Sequence, residues 1–331
     1  MTATTFLLPV LQIAVVLGVV LLAVAYLVLL ERKVQAWVQV RLGPMRVGPH
    51  GSLQPIADGI KLLLKEDITP VRADKWVFTL APIISMVPAL IAFAVIPFGK
   101  SITVFGYTVP VYVADVNVGL LYIVAITSIG VYGIILAGYS SNSKFPLLAG
   151  LRASAQLISY EIAVTMMLVS IAAMSGTLSM VGITEAQQAQ GVWYIFVQPV
   201  AFVVLFIGGL AETNRTPFDL PEAEQELVGG FHTEYSGMRF ALFFLAEYAN
   251  MIVVAAVTTT LFFGGWLRPF PNVEALWFLD YIPGWLWFTF KAFGFIYLTM
   301  WIRATLPRYR YDQLMRLGWK VLIPVGIANL V

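Results

Sequence analysis

At 331 residues, with 60% hydrophobic and only 11% charged side chains and a mean hydropathy of +0.85, the chain cannot present a mostly water-facing surface, since a soluble domain carries about 45–50% apolar and ~25% charged residues. Twenty Lys and Arg against eighteen Asp and Glu leave a net charge of +2, which excludes a field strong enough to recruit nucleic acid. There is no cysteine, and His50 and His232 are the only histidines, both in Gly-containing stretches; disulfides, cysteine-ligated iron–sulfur clusters and zinc sites are excluded, and no redox centre of its own is expected.

What remains is an all-α fold, a polytopic membrane protein that reads as one integral domain over residues 1–331. About eight transmembrane helices are expected, with short amphipathic helices in the cytoplasmic loops, because backbone groups in lipid must be satisfied internally. Apolar windows fall at 7–30, 77–98, 115–138, 152–175, 193–211, 239–265, 285–304 and 318–331. The first run, Phe6 to Leu30, has no basic segment before it and no small-residue cleavage site after it, so it is expected to be a retained span and not a signal peptide. The last is short, ~21 Å of helix, with Pro324 inside; it is expected to end short or to begin earlier, at Leu314.

The loop after the first span holds Arg32, Lys33, Arg41, Arg46, Lys61, Lys65, Arg72 and Lys75. Its Gly43-Pro44 and Gly48-Pro49 pairs break regular structure. Ser52 is then expected to cap a helix to about Lys65, with Leu53, Ile56, Ile60, Leu63 and Leu64 along one side. Too short to span, that helix should lie in the interface, as an anchor or as the lip of an opening for a lipid-soluble molecule. Taken alone, Glu31, Arg32 and Lys33 are snorkelling charges at the end of the first span.

Further along, Lys144 and Arg152, then Arg215 and Arg239, then Arg303, Arg308, Arg310, Arg316 and Lys320 fall on the same side as the first loop. Seventeen basic residues thus oppose only Lys100 and Arg268, with Lys291 inside the seventh span. This asymmetry puts the long basic and acidic loops in the cytoplasm and both termini outside. The external segments 99–114 and 266–284 read as Gly/Pro/aromatic turns.

Two carboxylates lie inside spans. Glu161 and Glu247 sit ~12–14 Å in from the cytoplasmic edge at the helical rise per residue. Glu161 shares a helix face with Ser154 and Thr165, and Glu247 with Asn250 and Thr258. Proton handling along a hydrated path and a hydrogen-bonded packing role both fit; intramembrane ionisable groups favour the first. Lys291, expected to snorkel outward, and Asp115 are weaker candidates. Between the fifth and sixth spans the acidic loop 212–238 carries Glu212, Asp219, Glu222, Glu224, Glu226 and Glu234 against Arg215 and Arg239. Pro221 suits a helix N1 position, with Glu222 and Glu226 on one face. Crowded carboxylates exchange protons readily, so the loop reads as either a proton route or a solvated docking surface.

Four segments carry a resemblance: ERKVQAWVQVRLGPMRVGPHGSLQPIADGIKLLLKED from Glu31, SNSKFPLLAGLRASAQLISYE ending at Glu161, AETNRTPFDLPEAEQELVGGFHTEYSGMRFALFFLAEYANM from Glu212, and IRATLPRYRYDQLMRLGWK from Ile302. In order, over essentially the whole chain, they resemble the quinone-site membrane subunit of proton-pumping NADH:quinone oxidoreductase, respiratory complex I, in the cell inner membrane. The resemblance implies eight helices building a quinone tunnel, with quinone as substrate. NADH, FMN and iron–sulfur clusters would be held by partner subunits: the peripheral-arm iron–sulfur and quinone-site subunits, beside antiporter-like membrane subunits and membrane lipid. It also implies a tunnel set of Arg32, Arg41, Asp58, Arg215, Tyr235, Arg303, Arg308 and Arg310, with Asp312 in the same last motif. A proton relay through Glu161, Glu212, Asp219, Glu222, Glu224, Glu226, Glu234 and Glu247 is implied as well. Met45 departs from the family's Asn in GPNRVG, and the chain stops at Val331, early for the eighth helix. Three other readings compete: the membrane anchor of a related hydrogenase-type complex, a free-standing proton-coupled transporter, and a scaffold whose carboxyls only pack helices. Missing repeats and missing broken-helix pairs count against the transporter.

Overall fold

The computed structural model describes residues 3–104, 107–221, 228–270 and 274–331. In chain order the helices are α1 (Ala3–Val38), α2 (Gln54–Leu64), α3 (Lys75–Ile91), α4 (Gly119–Ser140), α5 (Lys144–Ser175), α6 (Met180–Gln190), α7 (Tyr194–Val197), α8 (Pro199–Glu212), α9 (Gly237–Phe262), α10 (Gly284–Thr305), α11 (Tyr311–Leu317) and α12 (Ile323–Leu330). Among the described residues the strands are β1 (Gly99–Val104) and β2 (Tyr107–Val111), an antiparallel pair. The chain is all-α and polytopic. Among the described residues six helices (α1, α3, α4, α5, α9 and α10) are long and apolar enough to cross a membrane. Between 22% and 56% of their most apolar windows is buried inside the protein, so much of that apolar surface faces outward, where only lipid or a partner protein tolerates it.

The fifth window, 193–211, is a broken element: α7 and α8 meet at Gln198, with Pro199 opening α8. Proline lacks the N–H a continuous helix would need there. The eighth window takes the earlier start expected for it, beginning three residues before Leu314. Helical structure runs from Tyr311 through a widened turn at Gly318–Leu322 into α12. Pro324 accounts for the widening, because its ring crowds the carbonyl one turn back and it donates no hydrogen bond.

Three local expectations are corrected. Ser52 is not the cap of α2: Leu53 holds that position, with no side-chain cap, and Ser52 closes the preceding turn. Segment 99–111 is the β1–β2 hairpin, not only turns; its β-branched Ile102, Thr103, Thr108, Val109 and Val111 suit a ladder. Helix α6, absent from the expected elements, is bounded by Ser179, whose hydroxyl accepts from the Gly182 amide at 3.1 Å, and by left-handed Gly191.

The core centres on α5, whose Tyr160, Ala163, Met167 and Ile171 are buried, and on α9, with its buried Ala249, Val253 and Ala256. Helix α8 wedges between these two through Gly208 and Gly209. A Cβ at Gly208 would clash with Val164 of α5, and one at Gly209 with Val254 of α9. That close approach brings the carboxylates of the three helices into one neighbourhood.

Candidate functional site

Helices α1, α2, α9 and α10 enclose a cavity of about 470 Å³. Its apolar wall is Val24, Ala25 and Val28 of α1, Leu62 of α2, and Ala241, Phe244 and Leu245 of α9. Helix α2 is set on its edge with Asp58 and Leu62 toward the cavity, while Ile56, Ile60, Leu63 and Leu64 are exposed on its other side. A few polar groups converge at one end: Glu31, Arg32, Gln35, Asp58, Tyr248 and Arg303. Arg32 pairs with Asp58 at 2.7 Å, and Gln54 donates to the other Asp58 oxygen at 3.0 Å, pinning α2 to α1. A mostly apolar wall with converging polar groups suits a ligand with a long greasy part and a polar head.

Beneath that polar end lies a buried ionic knot. Glu31 is 2% exposed, so it does not snorkel. Its two oxygens accept from Arg215 Nη1, both at 2.6 Å, and it pairs with Arg303 as well. Arg215, itself 2% exposed, reaches Glu247 Oε1 through Nε at 2.6 Å, and its guanidinium stacks 4.5 Å from the Tyr248 ring centre. Burial alone would drain the Arg215 charge, but Glu247 and Glu31 outweigh it and hold its pKa well above the ordinary value. Two carboxylates against two guanidiniums leave the knot neutral when all are ionised.

Three small cavities continue from the knot into the bundle. One, of about 60 Å³, is lined by Glu247, Asn250, Glu212, Ser85 and Thr127 among others. A second, of about 50 Å³, joins Glu212 to Glu161 and Thr165; a third, of about 20 Å³, lies by Ser128, Glu161 and Glu212. Each is large enough for at least one water. Glu212 lines all three. The Ser128 hydroxyl donates to Glu161. The order is therefore Glu161, Glu212, Glu247, Arg215, Glu31, and then the large cavity.

Of the expected tunnel residues, Arg32, Asp58 and Arg303 line the large cavity, and Arg215 stands one layer behind it. Exposed Arg41 lies outside it with Nε on Gln39, and exposed Arg310 is 3.7 Å from Asp312. Half-buried Arg308 and buried Tyr235 are not on its wall either. Tyr235 stacks on Phe78, ring centres 3.9 Å apart, and shares a hydrogen bond with Ser140. Of the expected relay, Glu161, Glu212 and Glu247 come together. Asp219 and Glu234 are half-buried in the connecting loop and line none of these cavities. Glu222, Glu224 and Glu226 lie outside the described residues.

Thr165 shares the Glu161 cavity and Asn250 the Glu247 cavity, whereas Ser154 is turned to the Leu151 carbonyl. Lys291 does not snorkel: its Nζ folds inward onto the carbonyls of Phe263, Gly265 and Leu267. The turn holding Met45 closes through its backbone, Leu53 N to Val47 O at 3.2 Å, and through Lys33 on the His50 carbonyl at 2.6 Å. Among the described residues no group of three or more His, Asp or Glu could hold a metal ion. Glu31, Gln35 and Tyr248 are the site residues that local spacing missed.

Comparison with known proteins points the same way. A family model described as NADH dehydrogenase matches residues 11–331. The second H subunit of NADH-quinone oxidoreductase from Geobacter metallireducens is 57% identical over 97% of this chain and 93% of its own length. The first H subunit from Geobacter sulfurreducens is 57% identical over 97% and 92%, and the H subunit from Frankia casuarinae 52% over 98% and 71%.

Proposed function

Since the chain belongs to the NADH dehydrogenase family, among the H subunits of NADH-quinone oxidoreductase, we propose that it is the complex I membrane subunit that admits quinone and couples its reduction to proton translocation. The large cavity receives the quinone, its apolar wall taking the isoprenoid tail and its polar end the head. The electrons come from partner subunits, which hold the NADH site, FMN and iron–sulfur clusters; the chain supplies no redox ligand. The basic asymmetry supports an inner-membrane placement with both termini outside and the loops carrying the knot in the cytoplasm.

One observation carries the coupling: a single run of contacts and shared cavities leads from the large cavity through Glu31, Arg215 and Glu247 to Glu212 and Glu161. Reducing a quinone to quinol adds two electrons, and the two protons that balance them are drawn from neighbouring groups, which are left more negative beside Arg303 and Glu31 until they are reprotonated. Because the knot is electroneutral and its Glu31 and Arg215 are buried, a charge change there is weakly screened and shifts the protonation of Glu247. Glu212, between Glu247 and Glu161, passes the proton onward.

The test is proton translocation against electron transfer in the assembled complex. With Glu212→Gln, NADH-to-quinone electron transfer in detergent is expected to persist while proton translocation by the reconstituted complex falls strongly. Glu234→Gln, off the cavities, is expected to change little. Full translocation in Glu212→Gln would sink the relay.

A further inference from the structure

The carboxylate cavities have one more neighbour, on the side away from the acidic loop. Thr213, beside Glu212, also borders a cavity of about 10 Å³ between α8, α9 and α10, which holds the hydroxyls of Thr258 and Thr299. That is room for about one water. Both hydroxyls donate to carbonyls of their own helices, Thr258 to Val254 at 2.7 Å and Thr299 to Phe295 at 3.0 Å. A small, mostly apolar space with Thr213, Thr258 and Thr299 on its wall thus continues from the carboxylates toward the far end of α9, and there it closes on Phe206 and Phe295.

Behind those two rings lies a cluster drawn from all three helices. Phe206 and Phe295 are 6.1 Å apart at their centres, and Phe202 lies 6.0 Å from Phe295. Phe263 is 5.1 Å from Phe295, and Phe202 is 5.6 and 5.7 Å from Phe262 and Phe263. Most of these contacts are edge-on or tilted, the packing that fills space between rings best. None of the five rings offers a proton acceptor along the way.

On the far side of the cluster, one turn from Phe295 on α10, sits Lys291. Its Nζ is 2.7 Å from the Phe263 carbonyl, 3.1 Å from that of Gly265 and 2.6 Å from that of Leu267, and 4.7 Å from the Trp193 ring centre. Three carbonyls match the three N–H donors of an ammonium; a neutral amine would turn its lone pair on one of them. The lysine stands at the back of an apolar plug with its Nζ engaged by three backbone carbonyls, and an apolar constriction of this kind excludes water and the protons it would carry.

We propose that Phe202, Phe206, Phe262, Phe263 and Phe295, backed by Lys291, form a proton-tight seal between the carboxylate cavities and the opposite membrane face. The inference deepens the relay reading and rests on Glu161, Glu212 and Glu247 handling protons. A proton reaching those groups then leaves laterally, toward a neighbouring subunit, or returns the way it came; it does not cross this chain directly.

The test needs no catalytic turnover. The complete complex is reconstituted into vesicles with a pH-sensitive dye inside, and a potassium diffusion potential drives protons without NADH. Phe295→Ser places a hydroxyl and a small cavity in the plug, and passive proton influx is expected to rise roughly tenfold, about 1.4 kcal/mol off the barrier. Phe295→Leu, which keeps the plug apolar, is expected to stay as tight as the parent, and both are expected to retain electron transfer in detergent. If Phe295→Ser does not assemble, Phe202→Thr is read the same way. An assembled, electron-transferring serine or threonine variant that stays proton-tight overturns the seal, and so does a leucine variant that leaks as much as the serine one. Because leak is read without NADH, failure of the seal is distinguishable from failure of the relay, which Glu212→Gln reports through driven translocation.

Discussion

Arg215 joins two buried carboxylates, Glu31, which it shares with Arg303, and Glu247. Removing one partner of a buried ion pair leaves an uncompensated charge and costs about 3–5 kcal/mol; removing Arg215 takes a guanidinium from both Glu31 and Glu247 and leaves Arg303 alone against them. Arg215→Met is therefore expected to abolish quinone reduction and to lower the yield of assembled complex on native gels. Arg215→Lys is expected to restore assembly in part, because a lysine keeps the charge but cannot reach both carboxylates with a rigid fork. Tyr235 gives a pH signature at the same scale. Burial pushes its phenol up from 10.0 to about 12, although the Ser140 hydrogen bond and Arg239 pull the other way. A raised folded value means that its share of stability is whole below pH 10 and is lost as pH climbs to about 12. Tyr235→Phe is expected to flatten that alkaline decline in a thermal-melt series while costing about 1 kcal/mol for the lost hydrogen bond at neutral pH. Residue patterns made Glu161 and Glu247 legible, since carboxylates inside apolar windows are rare. They did not reveal Glu31, whose partners lie 184 and 272 residues away. Adjacent Arg32 and Lys33 made it look like part of an ordinary helix end.

Helix α2 is held at both of its edges. Arg32 clamps Asp58 on the α1 side. On the α9 side Ser236 Oγ accepts from the Ile68 amide and donates to the Glu66 carbonyl, both at 3.0 Å, while Arg239 pairs with Asp67 at 3.1 Å. Gly237 sits in the crook of this clasp with φ +57°, and a Cβ there would lie 3.2 Å from the Lys65 carbonyl. Gly237→Ala combines left-handed strain of roughly 1–2 kcal/mol with a push on the end of α2. The expected kinetic result is a raised KM for quinone with kcat little changed; a fall in kcat alone would separate the clasp from quinone admission. Amphipathic spacing made α2 legible to within a residue or two, but not its start, because Leu53 caps it with backbone alone. The hairpin at 99–111 was hidden by its Gly, Pro and aromatic content, although alternating β-branched residues were there to be read. Helix α6 was passed over because it is neither apolar enough to span nor strongly amphipathic, and only its Ser179 and Gly191 ends signal it.

Across the whole molecule, hydropathy located the long helices because the bilayer demands apolar runs of that length. The two elements it described least well, 193–211 and 318–331, are those that proline interrupts. The large cavity was not legible, because it lies among four helices far apart in sequence. Ala241, 8% exposed on its wall, offers a direct test of its role. Ala241→Phe is expected to slow reduction of a long-tailed quinone several-fold and of a short-chain analogue much less; equal slowing of both would argue against passage through this space. Orientation is testable in the same assembly, since the chain has no cysteine. Lys144→Cys and Lys100→Cys, both at exposed positions, are expected to react with a membrane-impermeant maleimide from opposite faces, Lys144→Cys from the cytoplasmic one.

The ionic knot also sets a schedule for biogenesis. Glu31 leaves the ribosome early, yet Arg303 follows it by 272 residues. At ~5–20 residues per second that is a wait of roughly 15–50 s; Arg215 follows by 184 residues, and until it arrives the first inserted helix carries an acidic side chain with no guanidinium to receive it. The nascent helix must keep that end among lipid headgroups or beside an insertion factor, and α1 completes its pairing only after α10 has been threaded. A chain cut short before Arg303 leaves the glutamate half-paired, which gives membrane proteases a chemical mark by which to tell unfinished copies from finished ones.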